Sequence, residues 1–334
     1  VRLVFFGSGE FGVPTLEALH RTHDVALVIS QPARPAGRKR HLKLTPVEAY
    51  ARAHDLPTFT PDDPNDPEAI ERLHAGHADA HIVIAYGHKL SPALLGETFA
   101  LNLHASLLPK YRGAAPINHA MIAGDTVTGI SVITLAQRMD AGAVLAAVPL
   151  TIDPLETAGE LHDRLAQLGP AAVLSVLDAF ARDDLRPVEQ DHAAASAAPK
   201  FTKDDGTTTF DMDADRVRAR IHGLTPWPGC TVMVRTSTGG HADDVALKLL
   251  RAQVVHVDHG DRGVHDVPDE SMPAGGVEQG TILEDGTIAC AAGHLELLSV
   301  QPAGGKAMTF EAFRNGHRIA AGAQLLPKAA HSTS

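Results

Sequence analysis

The sequence predicts an α/β protein, a mostly parallel sheet covered by helices, followed by a linker and a smaller β-barrel domain. Three observations carry this. Short apolar runs alternate with amphipathic stretches through residues 1–182. An Ala/Ser-rich segment then interrupts the alternation, and short strands separated by Gly and Asp turns follow it. The length of 334 residues suits two domains at about 150 residues each.

Leu3–Phe6 is an apolar run ending at Gly7, the pattern of a strand buried on both faces. Val13–His20 reads as a helix, with Val13, Leu16 and Leu19 on one stripe and Pro14 in its first turn. Val25–Ser30, Ile82–Tyr86, Leu101–His104, Ile130–Leu135 and Val144–Leu150 repeat the strand signal. Thr157–Arg182 is helical, with a break or kink expected at Gly169-Pro170. Residues 1–182 therefore form the expected first domain, 183–203 a linker, 204–328 the second domain and 329–334 a disordered tail. In the second domain Thr231–Arg235, Val245–Val257, Gly280–Glu284, Thr287–Ala292 and Leu295–Val300 read as strands, and Phe310–His317 as a helix. The polar insertion 256–276 reads as a mobile surface loop with no role to assign.

Hydrophobic residues at 44% and charged residues at 21% exclude extensive disorder. A net charge of −11 argues against non-specific coating of nucleic acid or anionic membrane. Scarce aromatics argue against a base-stacking sheet surface. Two cysteines, Cys230 and Cys290, make neither a disulfide framework nor a thiolate metal site and suit a reducing compartment. No run has the length of a signal peptide or a membrane span, so a cytoplasmic protein is expected, with no membrane partner and as a monomer.

Gly7-Ser8-Gly9-Glu10-Phe11-Gly12 fits G-x-G-x-x-G between a strand and a helix, the context of a dinucleotide pyrophosphate site. The acid that would hold the ribose is missing, because no Asp or Glu stands between Asp24 and Glu48. A tight strand-to-helix turn explains the glycines better. The same acid-free stretch concentrates five cations, Arg34, Arg38, Lys39, Arg40 and Lys43, in ten residues, so the rest of the chain carries −16. Pro32, Pro35 and Gly37 make it a flexible exposed loop. On an acidic protein such a loop suits a polyanion, such as a phosphodiester backbone or a phosphorylated substrate.

The strongest chemistry lies in Leu101-Asn102-Leu103-His104. Alternation along a strand points Asn102 and His104 to one side, where a parallel strand ends and open α/β sheets bind ligands. A carboxylate, Asp140, follows the next strand on a turn ending at Gly142. This set suits acyl transfer onto an amine. Asn102 would donate to a developing oxyanion, worth about 3 kcal/mol for donors of that kind, while His104 moves protons and Asp140 orients it. Among 20 histidines, His74, His77 and His81 have the spacing closest to a metal set, but no Cys or carboxylate completes it, and no metal is expected.

The motifs Gln31 to Arg38, Val83 to Gly87, Asn102 to Pro109, Tyr111 to Pro116 and Met139 to Gly142 resemble the methionyl-tRNA formyltransferase family. The likeness continues through Thr225 to Gly229 and Leu298 to Met308, so it covers nearly the whole chain in order. It implies a Rossmann-like formyltransferase domain followed by a β-barrel of oligonucleotide-binding (OB) type. The implied donor is 10-formyltetrahydrofolate, consumed as a co-substrate, and the implied acceptor is the α-amino group of methionyl initiator tRNA, in translation initiation. By motif position Asn102, His104 and Asp140 would be catalytic, and Ser106, Leu107, Leu108 and Pro109 would line the folate site. The basic loop, with Arg34, Arg38, Lys39, Arg40 and Lys43, and the linker residues Lys200 and Lys203 would bind tRNA. Ala33, Ala143 and Tyr111 depart from residues common in the family, outside the catalytic set. A sugar-nucleotide formyltransferase, a formyl-folate hydrolase and, from other classes, an NAD(P)-dependent oxidoreductase and a catalytically inert RNA-binding module are the competing readings; the coincidence of Asn102, His104 and Asp140 argues against the last.

Overall fold

A computed structural model describes residues 1–36, 41–235, 244–255 and 277–328. Arg38, Lys39 and Arg40, the 256–276 insertion and the 329–334 tail lie outside the described residues. The chain divides into two units: Val1–Pro116, Val127–Thr151 and His162–Pro199 make the first; Ile117–Thr126, Ile152–Leu161 and the described residues of Lys200–Ser334 make the second.

In the first unit the apolar runs become β1 (Arg2–Gly7), β2 (Asp24–Ile29), a short hairpin of β3 (Arg34–Ala36) and β4 (His41–Lys43), β5 (Thr58–Phe59), β6 (Ala80–Ile84), β7 (Phe99–His104), β8 (Val127–Thr134) and β9 (Val144–Thr151). Between them run α1 (Val13–Thr22), α2 (Pro46–Ala53), α3 (Pro67–His74) and α4 (Pro92–Leu95); α5 (Pro116–Ile122) follows β7 in the chain and belongs to the second unit from Ile117 onward. Local chemistry sets the helix starts. Thr45 accepts the Glu48 amide at 3.1 Å ahead of Pro46, and Ser91 accepts the Leu94 amide ahead of Pro92. Helix α6 (Ala158–Ala166) ends just before α7 (Gly169–Ala181), so the Gly169-Pro170 break separates two helices.

Seven strands form one sheet in the order β5-β2-β1-β6-β7-β8-β9. The first four pairings are parallel, but β7 pairs antiparallel with β8, and β8 with β9. The sheet is mostly parallel, with an antiparallel edge. That edge corrects the expectation that Ile130–Leu135 and Val144–Leu150 continue the earlier pattern. No helix joins β8 to β9, so the chain lacks the crossover a parallel pair needs. Val4, Phe6, Leu27, Ile29 and Val83 pack with Leu73 and Leu94 on one face. On the other face α7 comes so close that a Cβ on Gly169 would sit 2.8 Å from Leu103 and 2.5 Å from Thr15 of α1.

The second unit contains α8 (Ala214–Gly223), β10 (Cys230–Arg235), β11 (Val245–Val255), β12 (Ile288–Ala289), β13 (His294–Pro302), α9 (Phe310–His317) and β14 (Gln324–Pro327). Its antiparallel sheet has the order β12-β13-β11-β10-β14. Residues 280–283 bond the chain near β14 on one side, through Ile282 N to Ala323 O, and the β12 region on the other, through Ala289 N to Thr281 O. Val217 and Ile221 of α8 and Phe310 and Phe313 of α9 fill the core with Cys230, Leu247 and Leu297. Burial pushes the Cys230 thiol up to about 12, which leaves it inert.

Candidate active site

Asn102 and His104 lie two residues apart on β7, on the same side of the sheet, and pair with Ile133 and Ser131 of β8. His104 is buried, and both its ring nitrogens face protein oxygens. The Nε2 atom lies 2.9 Å from the Tyr111 carbonyl, which accepts only, so Nε2 carries the hydrogen. The Nδ1 atom lies 3.7 Å from Asp140 Oδ2. Asn102 is half-buried, and among the described residues nothing in the protein hydrogen-bonds its amide.

Asp140 reaches His104 from the β8–β9 connection despite an unfavourable start. Because β8 runs antiparallel, Thr134 pairs with Leu101 rather than with His104. The loop recovers the distance through fixed contacts. Gly142 lies against Thr134, where a Cβ would be 1.7 Å from the Thr134 carbonyl, and the Ala143 amide donates to Thr134 Oγ1 at 3.0 Å. Asp140 itself adopts the left-handed region, at φ 53°. Its Oδ2 accepts the Gly113 amide at 2.8 Å, a charge-assisted bond that aims the carboxylate. Gly113 in turn has φ 130°, and a Cβ there would lie 2.5 Å from the Ala198 carbonyl.

The expected folate stretch follows β7 directly. Ser106 is fully buried, and its hydroxyl donates to the Lys110 carbonyl at 2.7 Å. Ser131 ties the turn to β8 by donating to the Ser106 carbonyl at 2.8 Å and accepting the Leu108 amide at 3.1 Å. Ser106 thus shapes the loop, while Leu107, Leu108 and Pro109 are half-buried. Met139, which belongs to a sequence motif without an assigned role, is 67% exposed beside Asp140.

The Gly7–Gly12 turn is committed elsewhere. The Ser8 and Gly9 amides, which a pyrophosphate would need, both donate to the Ala85 carbonyl, and Gly12 N bonds Gly9 O. Ser8 Oγ and Gln31 Nε2 hold the neighbouring Tyr86 carbonyl. Of the expected tRNA-binding residues, Arg34 and Lys43 are exposed and face each other across the β3–β4 pair. Lys200 and Lys203 are exposed in the second unit. Among the described residues none of these four makes an ion pair. No group of three His, Cys, Asp or Glu among the described residues is placed to hold a metal, and His74 Nε2 instead lies 3.0 Å from the Leu94 carbonyl. No helix of the described residues is long and apolar enough to cross a membrane.

Comparison with known proteins meets this geometry from outside. The formyl transferase family model matches residues 1–177, and the formyl transferase C-terminal domain model matches 200–318. A methionyl-tRNA formyltransferase of Methylobacterium sp. (strain 4-46) is 37% identical, over 97% of this chain and 99% of its own length. One of Heliobacterium modesticaldum is 38% identical, over 96% and 99%. Among solved structures, an N-formyltransferase from Helicobacter canadensis, in complex with folinic acid and dTDP-3-aminofucose, superposes with a TM-score of 0.62 at 12% identity, over 88% of this chain and 98% of that one. HypX from Aquifex aeolicus in complex with tetrahydrofolic acid gives 0.56 at 14% identity, over 94% and 46%; at such identities both establish the fold alone. With both family models in order along it and full-length relatives at this identity, the chain belongs to the formyl transferase family, among the methionyl-tRNA formyltransferases.

Proposed function

We propose that this protein transfers the formyl group of 10-formyltetrahydrofolate to the α-amino group of methionyl initiator tRNA, in translation initiation. One observation carries the reading: a full-length match to methionyl-tRNA formyltransferases coincides with an Asn102 amide that no described residue bonds, two residues from a His104–Asp140 pair.

The residues present fit a folate. The Asn102 amide, unbonded among the described residues, stands near the end of β7; half-buried Leu107, Leu108 and Pro109 follow that strand, and Met139 beside Asp140 is exposed, a set that suits a polar formyl group on a flat aromatic body. When bound, the folate supplies an activated formyl group on a weakly basic nitrogen. Leu107, Leu108 and Pro109 would hold it, with Ser106 keeping their turn in shape. Asn102 donates to the formyl oxygen as negative charge develops there, a role worth about 3 kcal/mol. His104 receives at Nδ1 the proton lost by the attacking α-amine and returns it to the departing nitrogen. Asp140 stabilises the imidazolium between these events.

Arg34, Arg38, Lys39, Arg40 and Lys43, together with Lys200 and Lys203, are the cations we assign to the tRNA. Arg34 directly opposite Lys43 is an unfavourable like-charge pair by itself, and a phosphate lying along the hairpin turns that cost into a gain. We read residues 204–328 as a small barrel of OB type, joined by 183–203 to a catalytic domain over 1–182. The bonds of residues 280–283 to both sides of the five-stranded sheet support that reading. The test is formyl transfer from 10-formyltetrahydrofolate to initiator and elongator methionyl-tRNA, with a dTDP-amino sugar and a no-acceptor control alongside. Transfer to initiator tRNA is expected. Transfer to the sugar alone, or release of free formate alone, overturns the reading.

A further inference from the structure

We propose that Gln190 is a positioning residue for the formyl-transfer reaction, holding the Asp140 carboxylate in register with His104. The inference rests on the functional reading above and adds a residue from the segment that reads as linker.

The Gln190 side chain is more than nine-tenths buried, and its amide is used completely. Nε2 donates to the Asp140 carbonyl at 2.8 Å and to the Gly142 carbonyl at 2.7 Å. Oε1 accepts from Arg112 Nε at 3.1 Å and from Arg112 Nη2 at 2.6 Å. The orientation of the amide has one solution, because the two carbonyls only accept and the guanidinium only donates.

These bonds close a ring around Asp140. Gln190 grips its carbonyl, and the Gly113 amide grips its carboxylate at 2.8 Å. Arg112, next to Gly113, returns to Gln190 through its side chain. Arg112 is also stitched to the same segment by its backbone, with its amide donating to Ser196 O at 2.8 Å and its carbonyl accepting Ala198 N at 2.7 Å. Val144 and Val188 exchange a pair of backbone bonds just upstream. Asp140 sits at φ 53°, a left-handed conformation that Asp tolerates better than most side chains but that its surroundings must still help determine. Gln190 supplies that determination from outside the loop. Without it, the loop has Gly113 and Thr134 to hold it, and neither holds the Asp140 carbonyl. A drift of about 1 Å in a catalytic group is enough to cost on the order of 10²-fold in rate.

The experiment is a double-mutant cycle in the full chain, using formyl transfer to initiator methionyl-tRNA. Gln190→Met keeps the volume and removes all four bonds; Gln190→Asn keeps the amide one methylene short and serves if the first variant does not fold. Each is measured alone and on Asp140→Ala. The expected result is a fall in kcat of about 10- to 100-fold with KM for both substrates within about 3-fold, and a pH profile displaced in the same sense as that of Asp140→Ala. On the Asp140→Ala background the same change should cost less than about 2-fold, since the group it positions is gone. Equal losses on both backgrounds, or a lowered Tm with kcat and pH profile unchanged, would overturn the inference and make Gln190 a structural residue. Inactivity of the unmutated protein would overturn the functional reading instead, so the two failures are separable.

Discussion

The Nε2–H of His104 donates to the Tyr111 carbonyl at 2.9 Å, and this bond leaves Nδ1 as the ring atom with a free lone pair. With Nε2 committed, Nδ1 bears a hydrogen only in the imidazolium, and it faces Asp140 Oδ2 at 3.7 Å. The neutral ring points a lone pair at a carboxylate, whereas the charged ring satisfies both neighbours. This arrangement suits the role proposed for His104, in which Nδ1 takes up a proton beside the Asp140 carboxylate during the reaction.

Asn102→Ala should lower kcat by about 10²- to 10³-fold while leaving Tm nearly unchanged. The amide is half-buried and, among the described residues, bonded to nothing in the protein, so its removal should cost the fold little and, in the proposed role, the developing oxyanion much. Steady-state kinetics together with thermal melts check this. A near-normal kcat in the folded variant removes Asn102 from the chemistry.

Gly142→Ala should damage the enzyme through the backbone. The new Cβ would meet the Thr134 carbonyl at 1.7 Å, and neither partner is a flexible side chain that yields. The loop must shift, at a cost of about 1–3 kcal/mol, and Asp140 two residues away must shift with it. The expected outcome is a lowered Tm and a kcat loss comparable to that of Asp140→Ala; unaltered kinetics would show that the loop absorbs the methyl group without moving the carboxylate.

What was legible in the sequence follows the kinds of signal that sequences carry. Apolar runs announced β1, β2, β6 and β7, and alternation placed Asn102 and His104 on one side. Strand direction has no such signature, so the antiparallel edge of β8 and β9 was invisible from Ile130–Leu135 and Val144–Leu150. Helix α8 was hidden because Arg216, Arg218 and Arg220 dilute an apolar face reduced to Val217 and Ile221; the Asp213 cap, which accepts the Arg216 amide at 2.7 Å, was its one readable mark. Gln190 carried no signal at all. A single amide in a polar, Ala/Ser-rich stretch looks like solvent-facing linker until its four hydrogen bonds are known. The backbone of Ala85, which saturates the Gly7–Gly12 turn, was equally out of reach of a motif.

Arg34 and Lys43 should act on RNA through charge alone. Arg34→Ala combined with Lys43→Ala is expected to reduce the slope of log affinity against log salt by about 1.4–1.8, as two phosphate contacts are lost at roughly 0.7–0.9 each. Initiator tRNA binding between about 50 and 200 mM salt measures it. Catalysis at saturating tRNA should be retained, because both side chains are exposed on the hairpin and neither touches the His104–Asp140 pair. An unchanged slope would place the phosphates elsewhere.

Acid should weaken the second unit through His222. This side chain is 2% exposed, and its Nε2 accepts the Ala252 amide at 3.0 Å, so the fold requires the neutral ring. Burial, reinforced by Arg218 and Arg251, lowers its pKa from 6.5 to about 4. Above pH 6.5 the ring is neutral in the folded and unfolded states, and the full stability is present. As the pH falls from 6.5 towards 4, the unfolded chain takes up a proton that the folded chain refuses, and stability is lost at about 1.4 kcal/mol per pH unit. The total is on the order of 3 kcal/mol below pH 4. His222→Gln retains an acceptor for the Ala252 amide and abolishes the titration. Its Tm should therefore fall less than that of the unmutated protein between pH 7 and pH 5, although His81, which burial also lowers to about 4 in the first unit, keeps its own acid sensitivity. Parallel Tm-against-pH curves for the two proteins would mean that His222 takes no part in acid unfolding.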